Sequence, residues 1–576
     1  MSIEEDQAVQ AAQDTVVRET DNGYRVLGTP DESVTHQHDI DRIPEFDVTQ
    51  EMLSESGQNP ESWLIYGGNY EMHRYTTADV VDKENVSDLQ VEYDIEVGSG
   101  SSMEGSPVVV PGDPTIMYQS NGPNHLKALD ARNGDVLWSY TYAVPSDVVL
   151  CCDDNNRGPA VYEDKVFMTT LDSGVVALDR YSGEEEWYCS TEDHERGYSA
   201  TWAPVVHDGT LYTGSAGGEY GVRGFHCAID VDSGEIEWQT RTCPEEEWVG
   251  DSINQSGGTN WMTATYDEER DVLYMPVGNP APDFDGSVRP GPNRNTCGTM
   301  CMDAETGERL WFHQESAHDV WDYDTASPRM LIRDLEYPHR DESRDTVVDA
   351  GKTGWVYSMD ADSGRLITRS DPGVQQLNMF SMIPHIDDGR RGTFMPGGMG
   401  GCDWHPATYN PETGLVYYKM HNNAQEAWWR FEEFEAGRKY WGGILEDETE
   451  AMPDEYNGHI SSICAFDPAT GKRVWREWID SDVYIWGGTM STATGLMFAG
   501  TQNGNFVAYD GETGDARTSG AVLPAHSTGD APISSSPISW HDSETDKQYI
   551  AIQVGGSGWL RRGQRDNRLV VFSMDA

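Results

Sequence analysis

Two adjacent cysteines, Cys151 and Cys152, are the residues whose spacing most constrains the chemistry of this sequence. Oxidised, they close an eight-membered ring through a strained peptide, a rigid, flat and apolar object that is rare as a mere staple. Reduced, they are two unrelated core thiols, and the residue types alone leave both readings open. DDNNRG follows directly and places Arg157 five residues beyond Cys152. None of the nine cysteines falls in a CxxCH run, which excludes a c-type haem. Cys297 and Cys301 form CxxxC with no following His, and no zinc pattern occurs. Glu219 lies in a Gly-rich turn, GGEYGVRG, and Asn279 precedes a proline that fixes its loop. In so acidic a chain a lone Glu carries no signal without such a setting.

The elements that must position these residues repeat along the chain. The pattern apolar-x-Asp-x-x-x-Gly-x-x-x-Trp reads KALDARNGDVLW at Lys127–Trp138, VALDRYSGEEEW at Val176–Trp187 and CAIDVDSGEIEW at Cys227–Trp238. It returns as CMDAETGERLW at Cys301–Trp311, SMDADSGRLIT at Ser358–Thr368, CAFDPATGKRVW at Cys464–Trp475 and VAYDGETGDART at Val507–Thr518. The copies ending at Thr368 and Thr518 lack the Trp. Each reads as a short apolar strand running into Asp, a turn ending in Gly, and a second strand. The spacings from Asp130 to Asp179 and on to Asp230 are 49 and 51 residues, the length of one four-stranded propeller blade. The wider gap from Asp360 to Asp467 holds NPETG at Asn410–Gly414, which predicts a further, degenerate blade. Seven copies plus this one predict an all-β, eight-bladed propeller of four-stranded antiparallel blades over residues 61–576, preceded by an acidic extension over 1–60. No linker-like composition separates the repeats, which disfavours a row of independent β domains. The least repeat-like stretch, Met420–Ile460 with WWRFEEFEAGRKYWGG, reads as an insertion over one end of the propeller.

Composition bounds the function from outside. The chain has 576 residues, 99 Asp+Glu against 39 Lys+Arg, and a formal net charge of −60. A surface of that sign repels phosphate backbones and anionic headgroups, so nucleic acid and polybasic membrane anchoring are excluded as partners. Only eight of the cations are Lys. The excess of carboxylates with so little Lys points to a protein kept soluble in concentrated salt, where a Debye length of about 3 Å at 1 M makes self-repulsion tolerable. No apolar run reaches the roughly 18–20 residues of a membrane span. Met1 to Arg25 is polar and acidic, without the apolar segment of a signal peptide.

With the repeat in place, eight motifs in order resemble the quinoprotein alcohol dehydrogenases, the PQQ-dependent eight-bladed propellers that include methanol dehydrogenase. They are MEGSP at Met103–Pro107, CCDDNNRG at Cys151–Gly158, GGEYGVRG at Gly217–Gly224 and TNW at Thr259–Trp261. GNPAP at Gly278–Pro282, HDVWDYD at His318–Asp324, AGKTG at Ala350–Gly354 and WGGT at Trp486–Thr489 complete the series. The resemblance runs from about Trp63 to the C-terminus. It implies a vicinal disulfide, Cys151–Cys152, which with Trp261 sandwiches the planar tricarboxylic quinone PQQ. Arg157 and Lys352 match cations that contact the cofactor, and Glu104, Thr201, Gly217, Gly218, Thr259 and Trp486 match further cofactor contacts. Glu219 and Asn279 match metal ligands, an oxygen-only pair suited to a hard cation such as Ca²⁺. Asp322 matches the catalytic base, also at the metal, which takes the alcohol's hydroxyl proton as hydride moves to the quinone. Asp324 stands where calcium-dependent relatives carry a small uncharged residue and the lanthanide-dependent branch carries Asp, so the resemblance implies a lanthanide ion ahead of Ca²⁺. An outward-facing acid is the alternative reading of Asp324.

Three positions depart from the pattern. Asp403, in CDWHP, occupies a position where relatives commonly have a cofactor-contacting Asn, and an anion facing an anionic cofactor is unfavourable. Ala216 stands where methanol dehydrogenases carry Ser, and GNPAPDFDG lacks the aromatic that often follows its motif. The resemblance implies oxidation of a small alcohol, with electrons passed to a separate redox protein, outside the cytoplasmic membrane. Oxidation of an aldose and a non-catalytic scaffold are the alternatives. A scaffold has no need of Cys151–Cys152, Arg157, Glu219 and Asp322 together, and the vicinal pair favours the alcohol branch.

Overall fold

The computed structural model describes residues 16–98, 102–340, 342–390, 392–447, 459–479, 484–517, 531–556 and 567–576. The described strands form ten sheets, eight of which have four or five strands. Six of the seven motif copies supply two neighbouring strands of such a sheet, as with Gly174–Asp179 and Glu185–Ser190, and the seventh supplies the edge strand Phe506–Asp510.

The motif explains how one sheet meets the next. Its Asp accepts backbone N–H groups two or three residues on, such as Tyr181 and Ser182 on Asp179 at 3.1 and 2.7 Å. The Gly then donates back to the Asp carbonyl from a left-handed conformation, Gly183 at φ +73° and 2.8 Å. The Trp belongs to the following junction. Trp138, Trp187, Trp238, Trp311 and Trp475 donate their indole N–H at 2.8–3.1 Å to Arg180, Val231, Ala304, Ala361 and Gly511, each the residue after the Asp of another copy. The same rings lie over Gly183, Gly234, Gly307, Gly364 and Gly514, where any Cβ would strike the indole. The copy without Trp keeps the arrangement in weaker form, with Thr368 Oγ1 donating to Ala469 at 3.2 Å. Thr518 lies outside the described residues.

The NPETG turn does not mark a sheet of its own. It joins Thr408–Asn410 to Leu415–His421 within the sheet whose other two strands, Ser461–Phe466 and Arg473–Trp478, carry the Asp467 copy. Asn410 accepts the N–H of Glu412 at 2.9 Å as the motif aspartates do, so the same local signature serves a different hairpin. One of the eight sheets of four or five strands has no motif copy. It pairs Ile538–Asp542, Lys547–Val554 and Arg568–Asp575 with Gln90–Glu96 from near the other end of the chain. Tyr93 of that sheet takes the role of the Trp, its hydroxyl donating at 3.1 Å to Ala131, the residue after Asp130.

Described residues before the first sheet also form strands. Val34–Gln37 adds a fifth strand beside Val136–Thr141, and Val16–Thr20 pairs with Gly23–Leu27. The segment after His421 contributes Gln425–Trp429 and Gly443–Asp447 to a three-stranded sheet with Thr393–Phe394. Its residues 448–458 fall outside the described set. Among the described residues no helix is long and apolar enough to cross a membrane.

Candidate active site

The loops between these sheets carry the motif residues to one place. Cys151 and Cys152 are joined in a disulfide, and the other seven cysteines are free and buried. Arg157, fully buried, donates to Glu104 Oε2 at 2.9 Å and to the carbonyls of Thr201 and Trp261 at 3.4 and 3.5 Å. Its guanidinium lies 5.2 Å from the Trp261 ring and 5.0 Å from Trp404, and its Nε has no hydrogen-bond partner among the described residues. Trp404 is parallel to Trp486 with centroids 6.2 Å apart. Trp404 is absent from the expected set, although CDWHP contains it; that motif draws attention only to its Asp.

Glu219 sits in the short turn Gly218–Tyr220. Gly217 enters this turn at φ +104°, and a Cβ there would run into the Gly197 carbonyl, so the position requires glycine. A Cβ on Gly218 would lie 3.3 Å from Thr259 Oγ1 and 4.0 Å from Asn279 Oδ1, which brings these three together. The Glu219 carboxylate and both disulfide sulfurs lie within 4.8 Å of one another. Burial raises the Glu219 carboxyl above its usual range, and the charge of Asp324 adds to the effect.

Asp324 is buried rather than outward-facing. Its Oδ1 accepts the backbone N–H of Asn279 at 2.7 Å and its Oδ2 accepts Lys352 Nζ at 3.0 Å. Asp322 takes a left-handed backbone, φ +63°, and its Oδ2 accepts Lys352 Nζ at 3.1 Å with the side chain 17% exposed. That conformation is costly for a residue with a Cβ, and Asp319 holds it by accepting the N–H groups of Trp321 and Tyr323 at 3.2 and 3.1 Å. Asp403 Oδ1 is buried 4.0 Å from Lys352 Nζ and accepts no hydrogen bond among the described residues. Burial pushes its carboxyl up to about 7, against the pull of Lys352. Burial likewise raises Asp322 well above the carboxylate range; Lys352 opposes this, while Asp324, Asp283 and Asp403 add to it. Burial also works against the charge of Lys352, but Asp322, Asp324 and Asp403 hold it well above the usual amine value.

Asp283 is the second residue missing from the expected set. It is 4% exposed, and its Oδ1 accepts Asn279 Nδ2 at 3.0 Å. Its motif shows on sequence only as lacking an aromatic residue, which hides the carboxylate in its place. Glu219, Asp283, Asp322, Asp324 and Asp403 therefore share one neighbourhood around Lys352. Several buried carboxylates with so few cations need protons or a multivalent ion. The all-oxygen donor set fits a hard cation, and the unpartnered Arg157 Nε fits an acidic ligand beside Trp261 and the disulfide.

Two groups border the carboxylates from outside. A Cβ at Gly398 would lie 3.2 Å from Asp322 Oδ2 and 3.1 Å from Leu445 Cδ2, so bare glycine and an apolar side chain flank Asp322. The segment after Trp429 reaches Glu219, whose carbonyl accepts the Tyr440 N–H at 2.6 Å.

Residues 63–371 match the family model "PQQ: Glucose/ethanol/alcohol dehydrogenase, beta-propeller domain". Residues 435–543 match a model described as outer membrane protein assembly factor BamB. The lanthanide-dependent methanol dehydrogenase of Methylacidiphilum fumariolicum (strain SolV) is 31% identical over 545 residues, covering 87% of this chain and 86% of that protein. Quinoprotein alcohol dehydrogenase PedH of Pseudomonas putida is 28% identical over 559 residues, 89% of each chain. Among solved structures, a europium-containing methanol dehydrogenase superposes with a TM-score of 0.82 at 27% identity, over 91% of this chain and all of that one.

Proposed function

The chain belongs to the PQQ-dependent glucose/ethanol/alcohol dehydrogenase family, and from that premise we propose that it oxidises a small alcohol to an aldehyde with PQQ and one metal ion. The observation that carries this reading is the meeting of Asp322, Asp324, Glu219 and Asn279 beside Lys352 and the Cys151–Cys152 disulfide. The eight sheets of four or five strands are read as eight blades of one propeller, with the site loops at one end.

Bound PQQ supplies the quinone that accepts a hydride, and the ion supplies the Lewis acid that makes the quinone electrophilic. The chain does the rest. Cys151–Cys152 and Trp261 would offer flat faces to a planar ring, and Arg157, Glu104, Thr201, Thr259, Gly217, Gly218, Lys352, Asp403 and Trp486 would hold its edges. Glu219, Asn279, Asp322 and Asp324 would hold the ion. Asp322 receives the hydroxyl proton of the alcohol on its carboxylate; Lys352 favours the ionised form that a base needs, against the burial that opposes it. Gly398 and Leu445 give that carboxylate a border with no polar side chain. Asp324 adds negative charge and a ligand, which favours a lanthanide over Ca²⁺. Electrons leave to a separate redox protein, as the family resemblance implies. The vicinal disulfide suits an oxidising location outside the cytoplasmic membrane, and the −60 charge suits concentrated salt.

The test is reconstitution with PQQ plus La³⁺ or Ca²⁺, following dye reduction with a panel of primary alcohols. The reading expects alcohol-dependent reduction that requires both additions and is faster with La³⁺. No activity under any combination would overturn it.

A further inference from the structure

Asp283 stands at the edge of the carboxylate group with a geometry of its own. Its backbone is pinned: Arg289 donates to the Pro282 carbonyl through Nε and Nη2 at 3.1 and 2.9 Å and to the Asp283 carbonyl at 3.2 Å. The next residue, Phe284, donates its N–H to Trp441 at 2.9 Å. The side chain is thereby held at 4% exposure. Among the described residues no Lys, Arg or His forms an ion pair with it.

The hydrogen bond it accepts from Asn279 decides the orientation of that amide. An amide presents a donor on one side and an acceptor on the other. With Asp283 Oδ1 accepting Nδ2, Asn279 must turn Oδ1 away, toward the Gly218 and Thr259 side where Glu219 lies. The flipped amide would set two acceptors against each other. Ionised beside a bound cation, Asp283 also adds a buried negative charge to Glu219, Asp322 and Asp324, and the buried Asp403 Oδ1, 4.0 Å from Lys352 Nζ, is a further carboxylate oxygen there. A trivalent ion gains more from each added charge than a divalent one, because Coulomb attraction scales with the product of charges.

Resting on the ion site proposed above, we propose that Asp283 is an additional carboxylate of that site, which fixes the Asn279 amide in its ligating orientation and biases the site toward trivalent over divalent cations. It is a positioning and charge-setting residue; the proton of the alcohol belongs to Asp322.

The experiment uses PQQ-loaded protein freed of metal by chelation, titrated with Tb³⁺ by sensitised luminescence and with Ca²⁺ by competition. Asp283→Asn should weaken Tb³⁺ binding about tenfold or more and Ca²⁺ binding by a smaller factor, lowering the Tb³⁺/Ca²⁺ preference. Asp283→Glu, which keeps the charge, should keep the preference, and it carries the test alone if the Asn variant fails to fold. Wild-type titrations by Asp283→Asn, equal losses for both ions, or a lost preference in folded Asp283→Glu would overturn the proposal. A wild-type protein that binds neither ion would instead overturn the ion site itself.

Discussion

Asp230 and Asp360, at the ends of their strands, and four of the carboxylates that meet around Lys352 are shifted in opposite directions. Asp230 is held below its usual value by the hydroxyl and N–H of Ser233, at 2.7 and 2.8 Å. Burial works against Asp360, but Ser363 and Arg344 hold it below as well. In the site, burial drives Glu219, Asp283, Asp322 and Asp403 the other way. The first group finds its donors in its own turn or in the adjacent strand and is complete as soon as its sheet forms. The second is assembled from loops far apart in sequence and is electrostatically incomplete in the protein alone. One residue type thus serves as a local staple in one region and as a waiting ligand in the other.

The largest expected effect breaks chemistry while sparing the fold. Asp322→Asn keeps size and polarity but removes the proton acceptor, so kcat should fall about 10²–10⁴-fold, the usual contribution of a general base. Melting temperature should change little. The converse is Trp138→Ala in the repeat, where a fully buried indole is lost from its seat on Gly183 and Arg180. Stability should drop by about 3–5 kcal/mol in denaturant unfolding, with ion affinity unchanged in the protein that remains folded.

Chelation combines the two regions. Asp403, at about 7 when folded, contributes stability that is present below the unfolded carboxylate value near ~4 and lost as pH rises toward 7. Asp230 and Asp360 contribute stability that is present above that value and lost as pH falls through their lowered folded ones. Removing the ion should therefore lower the melting temperature most above pH 7 and least near pH 5, where protons replace part of the ion's role. Calorimetry with and without chelator across this range checks the sign. A smaller effect is expected from Asp230→Ala, about 1 kcal/mol, comparable to the loss of a helix cap, and its cost should vanish in acid.

The same contrast decides what could be read from the sequence. The repeat was legible because Asp, Gly and Trp each satisfy a requirement at a fixed offset, even though the Trp acts on the neighbouring sheet. NPETG misled because Asn410 caps its turn as an aspartate does, and local capping does not say which pair of strands a turn joins. The sheet built from Gln90–Glu96 and the C-terminal strands was hidden, since pairing across the chain leaves no local mark. Within the site, Asp322, Asp324, Glu219, Asn279 and Lys352 were legible as motif members. That Lys352 bridges Asp322 and Asp324 was not, and neither was the closeness of Asp403 to it. Trp404 and Asp283 were passed over because their motifs drew attention to a neighbouring Asp or to a missing ring.

The most direct test of the central claim is anomalous diffraction from crystals of the protein loaded with PQQ and La³⁺. The account predicts one strong peak within coordinating distance of carboxylate oxygens of Glu219, Asp322 and Asp324 and the side-chain oxygen of Asn279, beside the disulfide. A peak elsewhere, or none at that position in fully loaded crystals, would contradict it.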